Sequence, residues 1–497
     1  MRVQQVSPMN ADPGAAKASR VQRRAEPSRR RQEPAPVAPF VDPLYAAQAG
    51  WEVWLGGRLP AEEIAARRDA RLRATIEFAR AYSPYYRALY RELPPTDEVV
   101  IEQLPVVHKR GLMQHFDEVV TDPAVTRAGV ARFVADPRRI GRPFLGRYAV
   151  WSSSGTCGEP GYFVQDGRAL AVYDALELLR FRAVNAAAGA ATVWAPHRFA
   201  LVAAIDGHFA GIATLRRLVL LYPWLAATTR AFSLLQPVAA LVAELNAYRP
   251  SVLATYPTAA EMLADEQEAG RLRLALNEIW TGGECLPRPV RARLARVFGC
   301  AVRSAYGASE FLSIGWECTH GRLHLNADWV VLEPVDARNR PVPPGVPSHT
   351  VLLTNLVNRV QPLIRYALGD SVTLDRDACP CGCALPSMTV EGRHDDVLVY
   401  ARADGAAVKL LPLVLCTVME DEAGVNDFQL VQPDDRVLRV RLGRAERGCA
   451  RRVLHALRAH LDTQGLGHVR VAVERIGPQR DPRSGKLRRV QVLRGTA

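Results

Sequence analysis

Three short β-rich runs of this chain, at residues 148–151, 278–280 and 301–305, each lead straight into small, hydroxylated or acidic residues. The first leads into Ser152-Ser153-Ser154-Gly155-Thr156-Cys157-Gly158-Glu159-Pro160, the second into Thr281-Gly282-Gly283-Glu284, and the third into Tyr306-Gly307-Ala308-Ser309-Glu310. Small residues after a strand let the backbone come close to phosphate, and hydroxyls and amide hydrogens bind its oxygens. Between such runs the apolar positions fall at helical spacing, over residues 59–90, 169–188 and 237–248. Further strands are expected at 191–194, 252–256, 329–335 and 350–355, the last two joined through the turn-rich Pro341-Val342-Pro343-Pro344-Gly345. Strands alternating with helices predict an α/β fold with a parallel sheet. After Gly392 the pattern changes to a smaller α+β unit. Its strands are expected near 397–400, 428–431, 437–442 and 469–473, and its helices near 412–421 and 449–461.

The expected organisation is therefore a tail at 1–40, a large multi-sheet domain at 41–391 and a small C-terminal domain at 392–497. The tail has six prolines and eight Lys or Arg against three Asp or Glu, with little that forms a core. It reads as disordered, and its prolines argue against an amphipathic transit peptide. No run of about 18 apolar residues occurs, so no membrane span is expected. There is no secretory pattern of a basic start followed by an apolar run. Nine cysteines, an odd number, argue against a disulfide framework and for a reducing, cytoplasmic setting. The net charge of +13 favours anionic small molecules such as nucleotides. Nucleic acid is disfavoured, because the folded part has no basic stripe interleaved with aromatics.

Three later motifs complete the pattern: Arg365-Tyr366-Ala367-Leu368-Gly369-Asp370, Gly392-Arg393-His394-Asp395-Asp396 and Ser484-Gly485-Lys486. With the serine-rich loop and the Tyr306–Glu310 segment, they make the chain resemble the adenylate-forming superfamily of acyl-CoA synthetases, in its phenylacetate–CoA ligase-like branch. The resemblance covers about residues 80–490. It implies that Ser153, Ser154, Gly155 and Thr156 cradle the phosphates of ATP, and that Gly282, Gly283 and Glu284 line the adenine and acyl pockets. Tyr306 would lie against adenine, Ser309 near the reacting phosphate, and Glu310 on Mg²⁺, a hard cation suited to carboxylate. Asp370 would accept both ribose hydroxyls, and Arg393 would bind ribose or phosphate as a fixed cation. Asp395 would be the hinge of a mobile C-terminal domain, and Lys486 the cation that stabilises charge developing at the α-phosphate. The loop departs from the family pattern at Cys157 and Glu159, which replace a threonine and a lysine. It therefore has no cation of its own.

The resemblance also implies an acyl pocket around His208, Phe209 and Tyr256, an aromatic-lined slot that would suit an aryl or arylacetic acid. Cys318, His324, Cys379 and Cys381, with His320 and Cys383 as substitutes, offer the soft ligands of a structural zinc site. The reading is an ATP-dependent, AMP-forming ligase that activates an acid and passes it to CoA, with a homodimer as the assembly the resemblance implies. The same adenylation with a carrier-protein thiol, an amine or nitrite is the alternative. A non-catalytic nucleotide sensor is a third, against which the presence of both Glu310 and Lys486 argues.

Overall fold

A computed structural model of the chain describes residues 41–153, 161–181, 198–391, 396–425, 427–479 and 488–493. The tail and the strand expected at 191–194 lie outside these residues. Strands β1 (Ala149–Ser153) and β2 (Gly161–Gln165) form an antiparallel hairpin with Ser153 opposite Gly161. The serine-rich motif thus joins two paired strands.

Strands β3 (Phe199–Ala203), β4 (Thr229–Ser233), β5 (Val252–Thr255), β6 (Glu278–Thr281) and β7 (Ala301–Tyr306) are parallel, in spatial order β4-β3-β5-β6-β7. Parallel neighbours require crossover connections, and helices Val238–Tyr248, Pro257–Glu268 and Arg288–Phe298 supply them. Leu245, Leu253, Leu263, Ile279 and Leu294 are wholly buried where these helices cover the sheet.

The sheet continues antiparallel through β8 (Gly315–Glu317) and β9 (Leu323–Leu325). Strands β10 (Val330–Val335), β11 (Thr350–Asn355) and β12 (Tyr366–Ala367) form a separate antiparallel sheet. Strands β13 (Ser371–Leu374) and β14 (Ser387–Glu391) return to the large one, β14 pairing with β9, and bring it to nine strands.

The C-terminal lobe has a hairpin, β15 (Leu398–Ala401) with β16 (Ala407–Leu410), and a four-stranded sheet. That sheet consists of β17 (Phe428–Gln432), β18 (Val437–Leu442), β19 (Arg470–Val473) and β20 (Val490–Val492), in order β19-β18-β17-β20. It has its own apolar core, with Phe428, Leu438, Val453 and Leu457 fully buried. It also touches the large lobe. Leu411 and Val414 join the core beneath the parallel strands, Lys409 pairs with Asp265, and Gln464 Nε2 donates to the Leu235 carbonyl at 3.2 Å.

The helix expected at 59–90 is two helices, Ala61–Tyr82 and Pro84–Leu89. Ser83 between them is extended, because a residue before proline is pushed out of the α region. Its hydroxyl then caps the second helix by accepting from Tyr86 N. The helix expected at 169–188 starts at Gly167, where Asp166 Oδ1 accepts from Ala169 N at 2.9 Å. It widens into a π-helical turn at Glu177–Phe181.

Candidate active site

The C-terminal end of β7 is the organising point. Tyr306 closes that strand, and its hydroxyl donates to Asp370 Oδ2 at 2.9 Å. At Gly307 any side chain would begin 2.1 Å from the Leu312 carbonyl oxygen, so only glycine permits this backbone approach. Ser309 follows. Its carbonyl accepts from the indole Nε1 of Trp151 at 2.7 Å, which ties the segment to β1. The Glu310 carbonyl accepts from Asn355 Nδ2 at 3.0 Å, and Asn355 also donates to the Tyr173 hydroxyl.

The Glu310 side chain is 7% exposed. Burial pushes its pKa up, opposed by a hydrogen bond from Tyr366 and by the charge of Lys109. A carboxylate held out of water next to further charged groups fits a divalent cation, whose charge would offset the desolvation.

The second motif lies beside this one. The ring of Tyr256 packs on Gly283, which has φ +78° and leaves 3.2 Å between the ring and the point where a side chain would start. Glu284 accepts from the backbone N and the Oγ1 of Thr258, both at 3.0 Å. It thereby satisfies an orphan donor in the first turn of helix Pro257–Glu268. Phe209 folds against Gly207 with a half-buried ring. His208 is 2% exposed and turned into the packing. Its Nε2 bonds the Asp136 carbonyl at 3.1 Å, and its ring meets Phe133 edge-on. Burial lowers its pKa, so it is a neutral packing residue in this arrangement.

Cys318, His324, Cys379 and Cys381 converge where the β8–β9 turn meets the segment between β13 and β14, with all four ligand atoms within 4.8 Å of one another. Cys318 Sγ and Cys379 Sγ are 3.7 Å apart, and Cys381 Sγ is 3.3 Å from His324 Nε2. Tetrahedral zinc with bonds of about 2.3 Å places two sulfurs roughly 3.7 Å apart. His324 Nδ1 donates to the Leu385 carbonyl at 2.8 Å, which leaves Nε2 as the free lone pair facing the thiols. Cys383 and His320, the expected substitutes, are not among the four.

Residues 182–350 match the family model described as "AMP-binding enzyme". Phenylacetate-coenzyme A ligase of Thermus thermophilus is 28% identical over 473 residues, which is 88% of this chain and 98% of that protein. The chain is thus similar to AMP-binding enzymes over residues 182–350 and to a CoA ligase over most of its length. Protein CapK of Staphylococcus aureus is 25% identical over 198 residues, 39% of this chain and 42% of CapK. The fold matches that of 2-hydroxyisobutyryl-CoA ligase solved with 2-HIB-AMP and CoA, at a TM-score of 0.56 and 21% identity, covering 88% of this chain and 91% of that one. The same enzyme in its postadenylation state with R3-HIB-AMP gives a TM-score of 0.52 at 22% identity, covering 88% and 90%.

Among the residues expected at an adenylate-forming site, Ser153, Tyr306, Ser309, Glu310 and Asp370 gather around the end of β7 and the β1–β2 hairpin. Gly282, Gly283, Glu284 and Tyr256 gather at the end of β6. Ser154, Gly155, Thr156, Arg393, Asp395 and Lys486 lie outside the described residues.

Three structural side chains had no role in the sequence reading. Trp151 and Asn355 hold the carbonyls of Ser309 and Glu310. Arg365, inside a recognised motif, turns away from the site. It pairs with Glu333 and donates to the carbonyls of Glu102 and Leu104 at 2.9 and 2.6 Å. Arg365 has φ +51°, a strained position for a non-glycine residue that these bonds hold in place. Local spacing names such residues, whereas only the fold reveals which way each side chain points.

Proposed function

We propose that the chain is an AMP-forming acid–CoA ligase acting on an aryl or related carboxylic acid. In the first half-reaction a carboxylate oxygen of the acid attacks the α-phosphorus of ATP. The α–β anhydride bond breaks, pyrophosphate leaves, and acyl-AMP remains. In the second, the thiol of CoA gives up its proton and attacks the acyl carbon. The bond to the AMP oxygen breaks and AMP departs.

The observation that carries this reading is the gathering of Tyr306, Asp370 and the buried carboxylate of Glu310 at the end of β7. Tyr306 offers a ring face to adenine and holds Asp370 toward ribose. Glu310 would hold Mg²⁺, which supplies Lewis-acid charge neutralisation at the phosphates. Tyr256, Phe209 and Gly283 offer the flat apolar walls that an aryl group needs. Residues 392–497 act as a mobile lobe hinged at Asp395 that brings Lys486 to the α-phosphate. No helix among the described residues is long and apolar enough to cross a membrane. The described cysteines are free thiols, which suits a reducing cytoplasm.

The test is pyrophosphate release with ATP, Mg²⁺ and a panel of aryl and short hydroxy acids, with CoA consumption followed in parallel. Release matched by CoA consumption is expected. Release without it points to another acceptor, and no release with any acid removes the ligase reading. Lys486→Ala is expected to lower adenylation by about 100-fold or more.

The four-ligand cluster is assigned to a structural zinc that staples β8, β9 and the segment before β14. About one zinc per chain is expected by mass spectrometry of chelator-free protein. Cys379→Ser should lose that zinc and lower the melting temperature, with adenylation of the surviving folded fraction intact.

A further inference from the structure

The stretch that leads into β1 is heavily basic. Residues 132–147 hold five arginines, Arg132, Arg138, Arg139, Arg142 and Arg147, against one acid, Asp136. The proposed half-reactions use none of them. The short 3₁₀ turn Pro137–Arg139 exposes Arg138 and Arg139, and Arg142 is exposed just after it. Arg142 Nε donates to the Arg138 carbonyl at 3.2 Å, so both belong to one bend of the chain. Gly141 brings in another cation from helix Ala210–Leu221. It has φ +76°, and a side chain there would begin 2.5 Å from Arg216 Cβ and 2.7 Å from Arg217 N. Only glycine lets the bend lie this close to the helix, and that approach sets the Arg216 stem against the residue before Arg142.

One acid cannot neutralise this cluster. Arg138 takes both oxygens of Asp136, at 2.9 and 3.0 Å, and Arg139 Nε is 3.5 Å from the same carboxylate. The hydrogen bond from Arg138 leads the contacts that hold the Asp136 carboxyl down to about 2, so it is ionised. Arg142 and Arg216 have no carboxylate partner among the described residues. Arg138, Arg139, Arg142 and Arg216 against Asp136 leave three surplus positive charges.

The cluster stands beside the site without entering it. His208 Nε2 bonds the Asp136 carbonyl at 3.1 Å, and Ser152 N donates to the His208 carbonyl at 2.8 Å. A single residue therefore bridges the arginine bend and the end of β1. The C-terminal lobe arrives at the same turn, because Asp421 Oδ2 is 3.0 Å from the point where a side chain at Gly207 would begin. The charges acting on Asp421 are those of Glu420 and Glu422, with no arginine of the cluster among them. The arginines thus flank the seam between the lobes, outside the pocket formed by Phe209 and Tyr256. A thiol that reaches the acyl carbon along this seam would leave the far end of its carrier molecule over the cluster.

We propose that Arg142 and Arg216, with Arg138 beside them, bind the 3′-phosphate of CoA in the second half-reaction. This rests on the proposed ligase reading and names its acceptor as free CoA rather than a carrier-protein thiol, which lacks that phosphate. A phosphate monoester carries nearly two negative charges near neutral pH. Guanidinium groups meet it with paired, charge-assisted hydrogen bonds. The contact lies far from the reacting atoms and is the same before and during thioester formation, so it acts on KM rather than kcat.

The test compares wild type with the double variant Arg142→Gln, Arg216→Gln, which shortens both stems but keeps them polar, and with Arg142→Glu alone. Calorimetry gives Kd for CoA and for dephospho-CoA, which lacks only the 3′-phosphate. Thioester formation with the most active acid of the panel gives KM and kcat for each. Wild type is expected to prefer CoA to dephospho-CoA by about 10-fold or more. In the double variant Kd and KM for CoA should rise about 10-fold or more, to the values for dephospho-CoA, with kcat within about 3-fold. Dephospho-CoA itself should change less than about 3-fold. Equal losses for the two molecules would assign the arginines a structural role, and a wild type indifferent to the 3′-phosphate would also overturn the proposal. So would transfer to a carrier protein with no use of CoA. If the double variant fails to fold, Arg142→Glu at its exposed position decides by the same comparison. A wild type that releases no pyrophosphate with any acid counts against the ligase reading, while the calorimetric comparison still decides the phosphate contact.

Discussion

Glu310 carries a carboxylate where water hardly reaches, and its pH behaviour follows from that. Burial raises its folded pKa above the ordinary 4.5. Between 4.5 and the raised value the native state holds a proton that the unfolded chain has released. Stability therefore falls as pH rises through that window and is highest below it. Glu310→Gln removes the titration. Melting curves from pH 4 to 8 without ligand should show the variant gaining on wild type as pH rises, and MgATP should restore wild type alone. Parallel curves would mean that Glu310 is not desolvated in solution. The residue type was legible from the Tyr306-to-Glu310 spacing. Its burial was not, because that depends on Asn355, Tyr366 and Lys109, which lie 45 to 201 residues away in sequence.

Among the elements, strand β12 shows how two residues organise a site. Tyr366 faces Glu310, while Arg365 points the opposite way into a buried pair with Glu333, their side chains 4% and 10% exposed. Arg365 precedes β12 with a left-handed φ of +51°, so the chain turns there and the extended run begins only at Tyr366. Arg365→Ala would strand the Glu333 charge and leave two carbonyls unpartnered. A loss of about 3–5 kcal/mol is expected, read from denaturant unfolding; a change below about 1 kcal/mol would show that the pair contributes little. Strands β5, β6 and β7 of the parallel sheet were legible as short β-rich runs, whereas β3 and β4 were not. The hairpin partner β2 and the short strands β8, β9 and β12 were not, since runs of two to five residues carry too little periodicity to distinguish from loop.

At the scale of the whole molecule, the two lobes meet around a small cavity lined by Gln236, Met262, Lys409, Leu411, His460 and Gln464. His460 is 6% exposed, and burial lowers its pKa from 6.5 to about 4. The unfolded chain takes up a proton below 6.5 that the native state refuses until about 4. Stability is therefore full above 6.5 and is lost as pH falls through that window, by on the order of 3 kcal/mol from this residue. His460→Gln should flatten the fall in melting temperature between pH 7 and 5; an unchanged slope would place the acid sensitivity elsewhere. By itself the sequence determined the α/β class, the polar motifs at strand ends and the set of Cys318, His324, Cys379 and Cys381 that the fold clusters, because local spacing and residue chemistry suffice for each. Only the tertiary structure decided that Lys109 lies against Gly161 and acts on Glu310, that His208 packs inward, and that Arg365 pairs with Glu333. Those are contacts between residues far apart in the chain, set by which surfaces the sheets bring together.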